Sequence, residues 1–167
     1  MKIRDVCVIT DGACEPNPGR GGYAALVVEA GVVVCEVVGA AHRTTNNRME
    51  LLAAIKGLDA VGPARAKVVV VSDSRYVVDG ITLWVERWAA RGWRTKGKTD
   101  VKNRDLWERL RAVAAVHQTT FEWVKGHAGH GLNERCDALA EAAARGSDPA
   151  PSDDGYEVDY RPCWSLA

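Results

Sequence analysis

The chain has 167 residues, 47% of them apolar and 26% charged, and its formal net charge is zero. This length supports one well-buried core but not two ordinary domains, so we expect a single domain. The apolar stretches have the length of strands, which excludes a membrane span of roughly 20 residues. No apolar signal core precedes the first strand, so we expect a cytoplasmic protein, with a monomer as the default state. Five cysteines without a CxxC pair or a Cys/His ligand spacing predict reduced thiols and argue against zinc.

The first third of the chain predicts three antiparallel strands. Residues 3–10 are nearly continuously apolar and β-branched, which is typical of a central strand, and the pattern breaks at Asp11-Gly12. Residues 23–29 and 32–41 follow as two strands around Ala30-Gly31, which is a hairpin signal.

The apolar period then changes to that of a helix. The helix begins at Thr44 or Thr45, where a threonine or an asparagine can cap it, and Gly62-Pro63 ends it. A fourth strand follows at residues 67–72. Because a helix connects the two strands, the fourth strand is expected to lie parallel to the first.

The second half of the chain is mainly helical in its pattern. We expect a short helix near Ser74, helices at 83–91 and 101–117, a fifth strand at 119–124, a loop at 126–131, and a last helix capped by Asn133 and ending at 145. From residue 146 onward serine, aspartate, proline and glycine predominate. Residues 146–167 are therefore predicted to form a tail without regular structure.

Four acidic residues occupy positions where folding alone gives a carboxylate little reason to be. Asp11 and Asp73 end the first and fourth predicted strands, whereas Glu50 and Asp137 lie inside helical patterns beside small residues. Taken singly, each also fits an ordinary role as a turn former, a helix cap or a solvated side chain. If the four converge, their repulsion must be neutralised, usually by divalent cations. The set therefore predicts a metal-dependent phosphoryl-transfer site.

Two further features bear on function. His127 lies on the loop before the helix of Asp137, where a histidine can transfer protons near neutral pH or can simply be a surface residue. Between Arg87 and Arg104 there are seven basic residues and one acidic residue, a local charge of +6. This stretch predicts a basic projection on an otherwise acidic body.

An ordered set of short motifs runs from residue 3 to residue 145. The motifs are Thr10-Asp11-Gly12, Asn17-Pro18-Gly19, Gly21-Gly22-Tyr23, Thr44-Thr45-Asn46-Asn47-Arg48-Met49-Glu50-Leu51, Ser72-Asp73-Ser74, Trp123-Val124-Lys125-Gly126-His127 and Asn133-Glu134-Arg135-Cys136-Asp137. Together they resemble a type 1 ribonuclease H of the bacterial kind with an inserted basic protrusion. The resemblance implies an α/β fold, a five-stranded mixed sheet in the order 3-2-1-4-5 flanked by helices. The catalytic domain would be 1–145, with the protrusion at 84–104.

The resemblance also implies a reaction. Asp11, Glu50, Asp73 and Asp137 would be the catalytic carboxylates that hold two Mg²⁺ ions, with Mn²⁺ as a substitute, and His127 would assist proton movement or product departure. The substrate would be an RNA/DNA hybrid, whose RNA strand is cut endonucleolytically to leave 5′-phosphate and 3′-hydroxyl ends. Base sequence should matter little, because such contacts read shape and sugar.

Substrate contacts are implied in the same way. Asn17 and Asn46 would contact the RNA strand and Asn47 its DNA-side neighbour, whereas Thr45 would join a DNA phosphate pocket and Trp84 would pack on a DNA sugar. Arg75 departs from the family pattern, because many relatives carry an amide there, and its contact is expected to shift toward phosphate. The protrusion would add Arg91, Trp93, Arg94, Lys96 and Lys98, whereas Trp88 and Trp107 are expected to pack between helices. The alternatives are a hybrid-binding module without catalysis and a DNA-cutting nuclease of the same fold.

Overall fold

The computed structural model describes residues 2–126, 131–146, 150–151, 153 and 155–156. The strands are β1 (Arg4–Cys14), β2 (Gly19–Glu29), β3 (Val32–Thr44), β4 (Ala66–Ser72) and β5 (Gln118–Trp123). The helices are α1 (Asn46–Val61), α2 (Arg75–Asp79), α3 (Val85–Ala90), α4 (Arg104–Ala115) and α5 (Gly131–Ala144), and a π-helical turn (Gly80–Trp84) joins α2 to α3.

The five strands form one mixed sheet in the order β3-β2-β1-β4-β5, which confirms the predicted topology. β1 pairs antiparallel with β2 and parallel with β4, and β4 pairs parallel with β5. Helix α1 lies against β1 and β2 on one face of the sheet, and α5 lies against the same two strands with the apolar cluster of the other face. The middle of the sheet is therefore covered on both sides.

β1 is longer than the sequence predicts. Instead of ending at Thr10 it continues to Cys14, because Asp11 and the following residues keep their antiparallel pairing with β2. Its pairing with β4 nevertheless stops at Ile9 opposite Val71. Asp11 is thus inside a strand on one side and beyond the end of the neighbouring strand on the other.

Small residues allow α1 to approach the sheet closely. A Cβ atom on Gly57 would lie 2.5 Å from a methyl carbon of Val8. Thr45 caps the helix by accepting a hydrogen bond from the Arg48 N–H, as predicted, and Gly62 follows its last residue. This close packing brings the buried start of α1 against β1.

The helices after β4 differ in their bounds from the predictions. The predicted helix at 83–91 is the last part of a helical segment that starts at Arg75 and is interrupted by the π-helical turn. The predicted helix at 101–117 is shorter, Arg104–Ala115. The prediction that Asn133 caps the last helix was wrong, because α5 begins at Gly131 and Asn133 lies in its first turn.

Three tryptophans form a ladder that joins α3 to α4. The ring centroids of Trp84 and Trp88 are 5.8 Å apart, and those of Trp88 and Trp107 are 5.6 Å apart. Trp107 is fully buried and donates a hydrogen bond to the Tyr76 hydroxyl. The predicted packing role of Trp88 and Trp107 is confirmed, and the ladder fixes the base of the basic protrusion.

The described part of the tail packs on the body. The Pro151 carbonyl accepts a hydrogen bond from the His42 N–H, and the Asp153 carboxylate binds Arg48. Tyr156 is 2% exposed, and its hydroxyl accepts a hydrogen bond from Arg43. Tyr156 therefore covers part of the body, whereas Tyr160 and Trp164 lie outside the described residues.

The four cysteines in the described residues, Cys7, Cys14, Cys35 and Cys136, are free thiols. No helix in the described ranges is long and apolar enough to cross a membrane.

A buried histidine at the far end of the sheet makes stability depend on pH. His117 is 5% exposed, and its Nδ1 accepts a hydrogen bond from the Ala66 N–H at 3.2 Å. Burial and the nearby Arg4 charge lower the pKa of His117, so the folded protein prefers the neutral ring. This contribution to stability is present above the unfolded pKa of about 6.5 and is lost as pH falls.

We therefore expect wild type to lose more stability than His117→Gln between pH 7.5 and pH 5. Urea unfolding of both proteins at the two pH values measures this, and the difference between them isolates His117 because the other groups titrate in both. Equal losses in the two proteins would contradict the assignment.

Candidate active site

The strand register brings two aspartates to the same level. Cys7 pairs with Val69 and Ile9 with Val71 in the parallel β1-β4 ladder. Continuing this register by two residues places Asp11 level with Asp73, just past the end of β4. The central strand and its parallel neighbour thus supply two carboxylates at one edge of the sheet.

Helix α1 adds the third carboxylate. A Cβ atom on Gly12 would lie 2.5 Å from the backbone nitrogen of Glu50, so only glycine permits this contact between β1 and α1. Oxygen atoms of Asp11, Glu50 and Asp73 all lie within 4.8 Å of one another. Glu50 is 4% exposed and Asp11 is 8% exposed. The structure therefore brings three of the four predicted metal ligands together in one cluster, with Asp11 and Glu50 buried and Asp73 half-buried.

One oxygen of this cluster has no hydrogen-bond partner. Glu50 Oε2 is buried and unpaired among the described residues. By contrast, Oδ1 of Asp11 accepts a hydrogen bond of 2.8 Å from the Gly12 N–H. A buried carboxylate oxygen without a donor is costly unless a cation meets it. The donor set, all carboxylate oxygens, is the kind that Mg²⁺ prefers, so the residues present fit a divalent cation.

The electrostatics of the cluster also favour a bound cation. Burial, followed by the charge of Asp73, raises the pKa of Asp11 to about 7. Burial and the charges of Asp11 and Asp73 raise the pKa of Glu50 well above its usual value. Without a cation these residues hold a proton near neutral pH, and a bound cation would replace it.

Asp137 and His127 complete the predicted set. Asp137 lies in α5 and its charge contributes to the raised pKa values of Asp11 and Cys136, so it is close to the cluster without belonging to the group within 4.8 Å. Cys136, its neighbour, is buried and donates to the carbonyls of Ile9 and Ala24, which fixes this turn of α5 on the sheet. His127 lies outside the described residues.

Most of the predicted substrate residues near α1 meet in one cleft. Asn17, Thr45 and Asn47 line a cleft of about 480 Å³. The Asn17 side chain accepts a hydrogen bond from the backbone of Asn46 at 3.2 Å, which links the loop after β1 to the start of α1. The loop and the helix therefore present their amides together.

Other residues that line this cleft include Arg48 and Asn103, which were not predicted from the sequence as site residues. Asn103 has a left-handed backbone, with φ of 60°, and its side chain bonds both Arg48 and Tyr76. Arg48 is 1% exposed and also pairs with Asp105 and Asp153. Arg48 was visible only as part of the motif before Glu50, and nothing local in the sequence marks Asn103.

The residues of the protrusion divide into exposed and buried ones. The side chains predicted to contact phosphates are all exposed, namely Arg91, Arg94, Lys96 and Lys98. Trp84 is 36% exposed and could offer part of its ring, whereas Trp93 is 8% exposed. Trp93 supports the loop from inside, with Arg104 over its ring. The structure does not bring Trp93 to a surface where a sugar could stack.

Arg75, the residue that departs from the family pattern, lies on the β5 side of the cluster. Its guanidinium carbon is 3.7 Å from the centroid of the Trp123 ring. The Trp123 N–H donates to the Asp73 carbonyl at 2.9 Å. Trp123 begins the motif that ends at His127, but it was not predicted as a site residue.

A five-stranded mixed sheet with buried carboxylates at the end of its central strands defines the class of the ribonuclease H fold. The ribonuclease H family model matches residues 4–145. The ribonuclease H of Escherichia coli O139:H28 is 50% identical over 157 residues, which are 94% of this chain and 99% of that protein. The chain belongs to the ribonuclease H family, and it is an enzyme of that type.

Solved structures agree with this assignment. LC9-RNase H1, described as a type 1 RNase H with the type 2 active-site motif, superposes with a TM-score of 0.79 at 36% identity, covering 99% of this chain and 85% of its own. LC11-RNase H1 in complex with RNA/DNA hybrid gives 0.61 at 23% identity, covering 83% and 96%, a likeness of fold alone.

Proposed function

We propose that this enzyme cuts the RNA strand of RNA/DNA hybrids endonucleolytically, with Mg²⁺ held by Asp11, Glu50, Asp73 and Asp137 and with Mn²⁺ as a substitute. The observation that carries the proposal is the group of three carboxylates within 4.8 Å, two of them buried, in which Glu50 Oε2 has no hydrogen-bond partner among the described residues. Two bound Mg²⁺ ions would supply an activated water and stabilise the leaving 3′ oxygen, leaving 5′-phosphate and 3′-hydroxyl ends.

The chain's own residues orient this chemistry. The Gly12 N–H donates a hydrogen bond to Oδ1 of Asp11 and so restrains this carboxylate. Asp11 lies on the central strand β1, and oxygen atoms of Glu50 and Asp73 are within 4.8 Å of its own, so it would act as a metal ligand together with both. Asp137 would complete the ligand set from α5, and His127 would accept or donate protons beside it.

Selection of the hybrid is assigned to the cleft and the protrusion. Asn17, Asn46 and Asn47 would donate and accept in the minor groove, where the 2′-hydroxyl distinguishes RNA from DNA. Thr45 and Trp84 would hold the DNA strand. These contacts read sugar and shape, so the enzyme should show little base-sequence preference. That the protein is monomeric and cytoplasmic stays a prediction from the sequence.

A panel of duplexes tests the proposal. Equal amounts of labelled RNA/DNA hybrid, duplex DNA and duplex RNA are incubated with the enzyme and Mg²⁺, and the ends of the products are mapped. We expect cutting of the hybrid alone, in its RNA strand, with ligatable 5′-phosphates. Cutting of duplex DNA would favour a DNA nuclease of this fold, and binding of hybrid without cutting would favour a docking module.

Neutralising the exposed cations of the protrusion should weaken substrate binding more than chemistry. With Arg91, Arg94, Lys96 and Lys98 all changed to glutamine, we expect KM to rise more than kcat falls, because these side chains contact phosphates far from the cluster. Steady-state kinetics at several salt concentrations measures this. The double variant of Arg65 and Lys67, exposed at the opposite end of β4, is the control. An unchanged KM at physiological salt would contradict the assignment.

A further inference from the structure

A stacked pair of side chains stands beside the carboxylate cluster. The guanidinium of Arg75 lies 3.7 Å from the centroid of the Trp123 ring, close enough for a cation-π contact. Both residues are exposed, Trp123 at 37%. Within the described ranges Arg75 forms no ion pair, so its charge faces solvent and a prospective ligand.

The Trp123 ring is a fixed platform. The indole N–H donates to the Asp73 carbonyl, and the backbone of Trp123 pairs with Ser72 at the end of the β4-β5 ladder. The next residue, Val124, donates its N–H to the Ser72 carbonyl at 3.0 Å. The ring is therefore held by its edge and by its backbone to the segment that carries Asp73.

Stacking on the ring leaves the N–H donors of Arg75 available to a ligand. The guanidinium carbon lies over the Trp123 ring at 3.7 Å from its centroid. A planar guanidinium stacked on an aromatic face keeps its in-plane N–H donors available, the arrangement that suits a phosphate. One residue, Ser74, separates Arg75 from Asp73, so their Cα atoms are at most about 7 Å apart. An arginine this close to Asp73 along the chain is placed to reach a phosphate of the strand that is being cut rather than one of the opposite strand.

We propose that Trp123 is a positioning residue that holds Arg75 against an RNA-strand phosphate next to the cleaved one. This rests on the proposed function, because the strand at the cluster is taken to be RNA. An amide at position 75 would make a neutral contact, whereas this arginine makes an ionic one. Binding of the RNA strand should consequently weaken more with rising salt in this enzyme than it would with an amide at position 75.

Four variants separate stacking from other roles of Trp123. Trp123→Phe keeps the ring face but loses the N–H, Trp123→Leu loses both, Arg75→Gln removes the charge, and the Arg75→Gln/Trp123→Leu double variant tests coupling. Arg65→Gln removes an exposed charge at the far end of β4 and is the matched control. Circular dichroism confirms folding, and KM, kcat and the salt dependence of kcat/KM are measured on a labelled hybrid.

We expect Trp123→Leu to raise KM about two- to fivefold at unchanged kcat, with Trp123→Phe near wild type. Arg75→Gln should make the slope of log kcat/KM against log salt shallower by about 0.7–0.9, the value for one phosphate. In the Arg75→Gln background, Trp123→Leu should add nothing, because the two residues act as a unit.

The strand is identified with a chemically altered substrate. Single methylphosphonates, which lack the phosphate charge, are placed beside the cleavage site in the RNA strand or in the DNA strand. We expect the RNA-strand change to weaken wild type and to leave Arg75→Gln unaffected. If Trp123→Leu fails to fold, the strand that Arg75 contacts is still identified by comparing Arg75→Gln with wild type on these substrates. Trp123→Phe then tests whether an aromatic ring alone is enough to hold Arg75.

Two results would overturn the inference while leaving the proposed function intact. One is a wild-type KM and salt slope in folded Trp123→Leu that still cuts the hybrid. The other is loss of the Arg75 effect only when the DNA strand carries the methylphosphonate. Failure of the proposed function would look different, since wild type itself would then leave the hybrid uncut.

Discussion

Asp11→Asn should stabilise the protein and inactivate it at once. Without divalent ions at pH 8, we expect its free energy of unfolding to exceed that of wild type by on the order of 2–4 kcal/mol. We expect cleavage of the hybrid to fall by at least about a hundredfold, as for other groups that stabilise charge in a transition state. A residue kept for function at a cost in stability produces this combination.

The higher free energy of unfolding expected for Asp11→Asn follows from the raised pKa of Asp11. The folded protein raises this pKa to about 7 by burial and by the charge of Asp73, whereas an unfolded aspartate titrates near 4. The folded state therefore binds the proton more tightly, which stabilises it at acid pH. That stabilisation is lost as pH rises through about 7, where the ionised cluster repels itself.

Urea unfolding from pH 4 to pH 8, with and without Mg²⁺, measures the effect. Mg²⁺ should stabilise wild type at pH 8 and stabilise Asp11→Asn much less, because the variant has lost a ligand. Asp5→Asn, which changes an exposed aspartate near the start of β1, is the control and should behave like wild type. An Asp11→Asn protein less stable than wild type at pH 8 without Mg²⁺ would contradict the account.

The second large effect concerns the tail. Asp153→Asn should lower the free energy of unfolding by about 2–4 kcal/mol, because it leaves the charge of a buried arginine only partly compensated. Arg48 is 1% exposed, and its Nε and one terminal nitrogen bind Asp153 at 2.7 Å and 2.9 Å. Asp105 binds the same guanidinium and remains in the variant, which limits the loss.

Thermal and urea unfolding compare Asp153→Asn with Asp100→Asn. Asp100 also pairs with an arginine, Arg94, but at 3.8 Å and with both side chains exposed, so its loss should change stability by less than about 1 kcal/mol. A chain that ends at Arg145 should lose more than Asp153→Asn, since Tyr156 leaves with it. Equal stability of wild type and Asp153→Asn would show that the tail contributes no such anchor.

The pattern of apolar runs predicted that the first three strands are antiparallel and that β4 lies parallel to β1, because the hairpin signal and the helical crossover restrict how these strands can pair. The full order β3-β2-β1-β4-β5 was implied by the family resemblance. The apolar pattern placed the end of β1 at Thr10 because Asp11-Gly12 usually breaks a strand. The structure continues β1 there because β2 remains alongside. Pairing with a partner strand is a tertiary effect that the local sequence of β1 does not contain.

The carboxylate cluster was predictable for a related reason. Asp11 and Asp73 follow parallel strands, so their levels are set by topology, and Glu50 follows from small residues in α1. The contact between Arg48 and Asp153 was not predictable, because a residue in a Ser/Asp/Pro/Gly-rich tail carries no local signal of burial. The stack of Arg75 on Trp123 likewise joins two segments 48 residues apart in sequence.

Strand-resolved cleavage tests the central claim most directly. A hybrid labelled on its RNA strand and, separately, on its DNA strand is incubated with wild type and with Glu50→Gln, in Mg²⁺ and in chelator. The account predicts cutting of the RNA strand only, by wild type with Mg²⁺ only, because Glu50 offers the proposed metal site an oxygen that has no hydrogen-bond partner among the described residues. Undiminished cutting in chelator or by Glu50→Gln would contradict it.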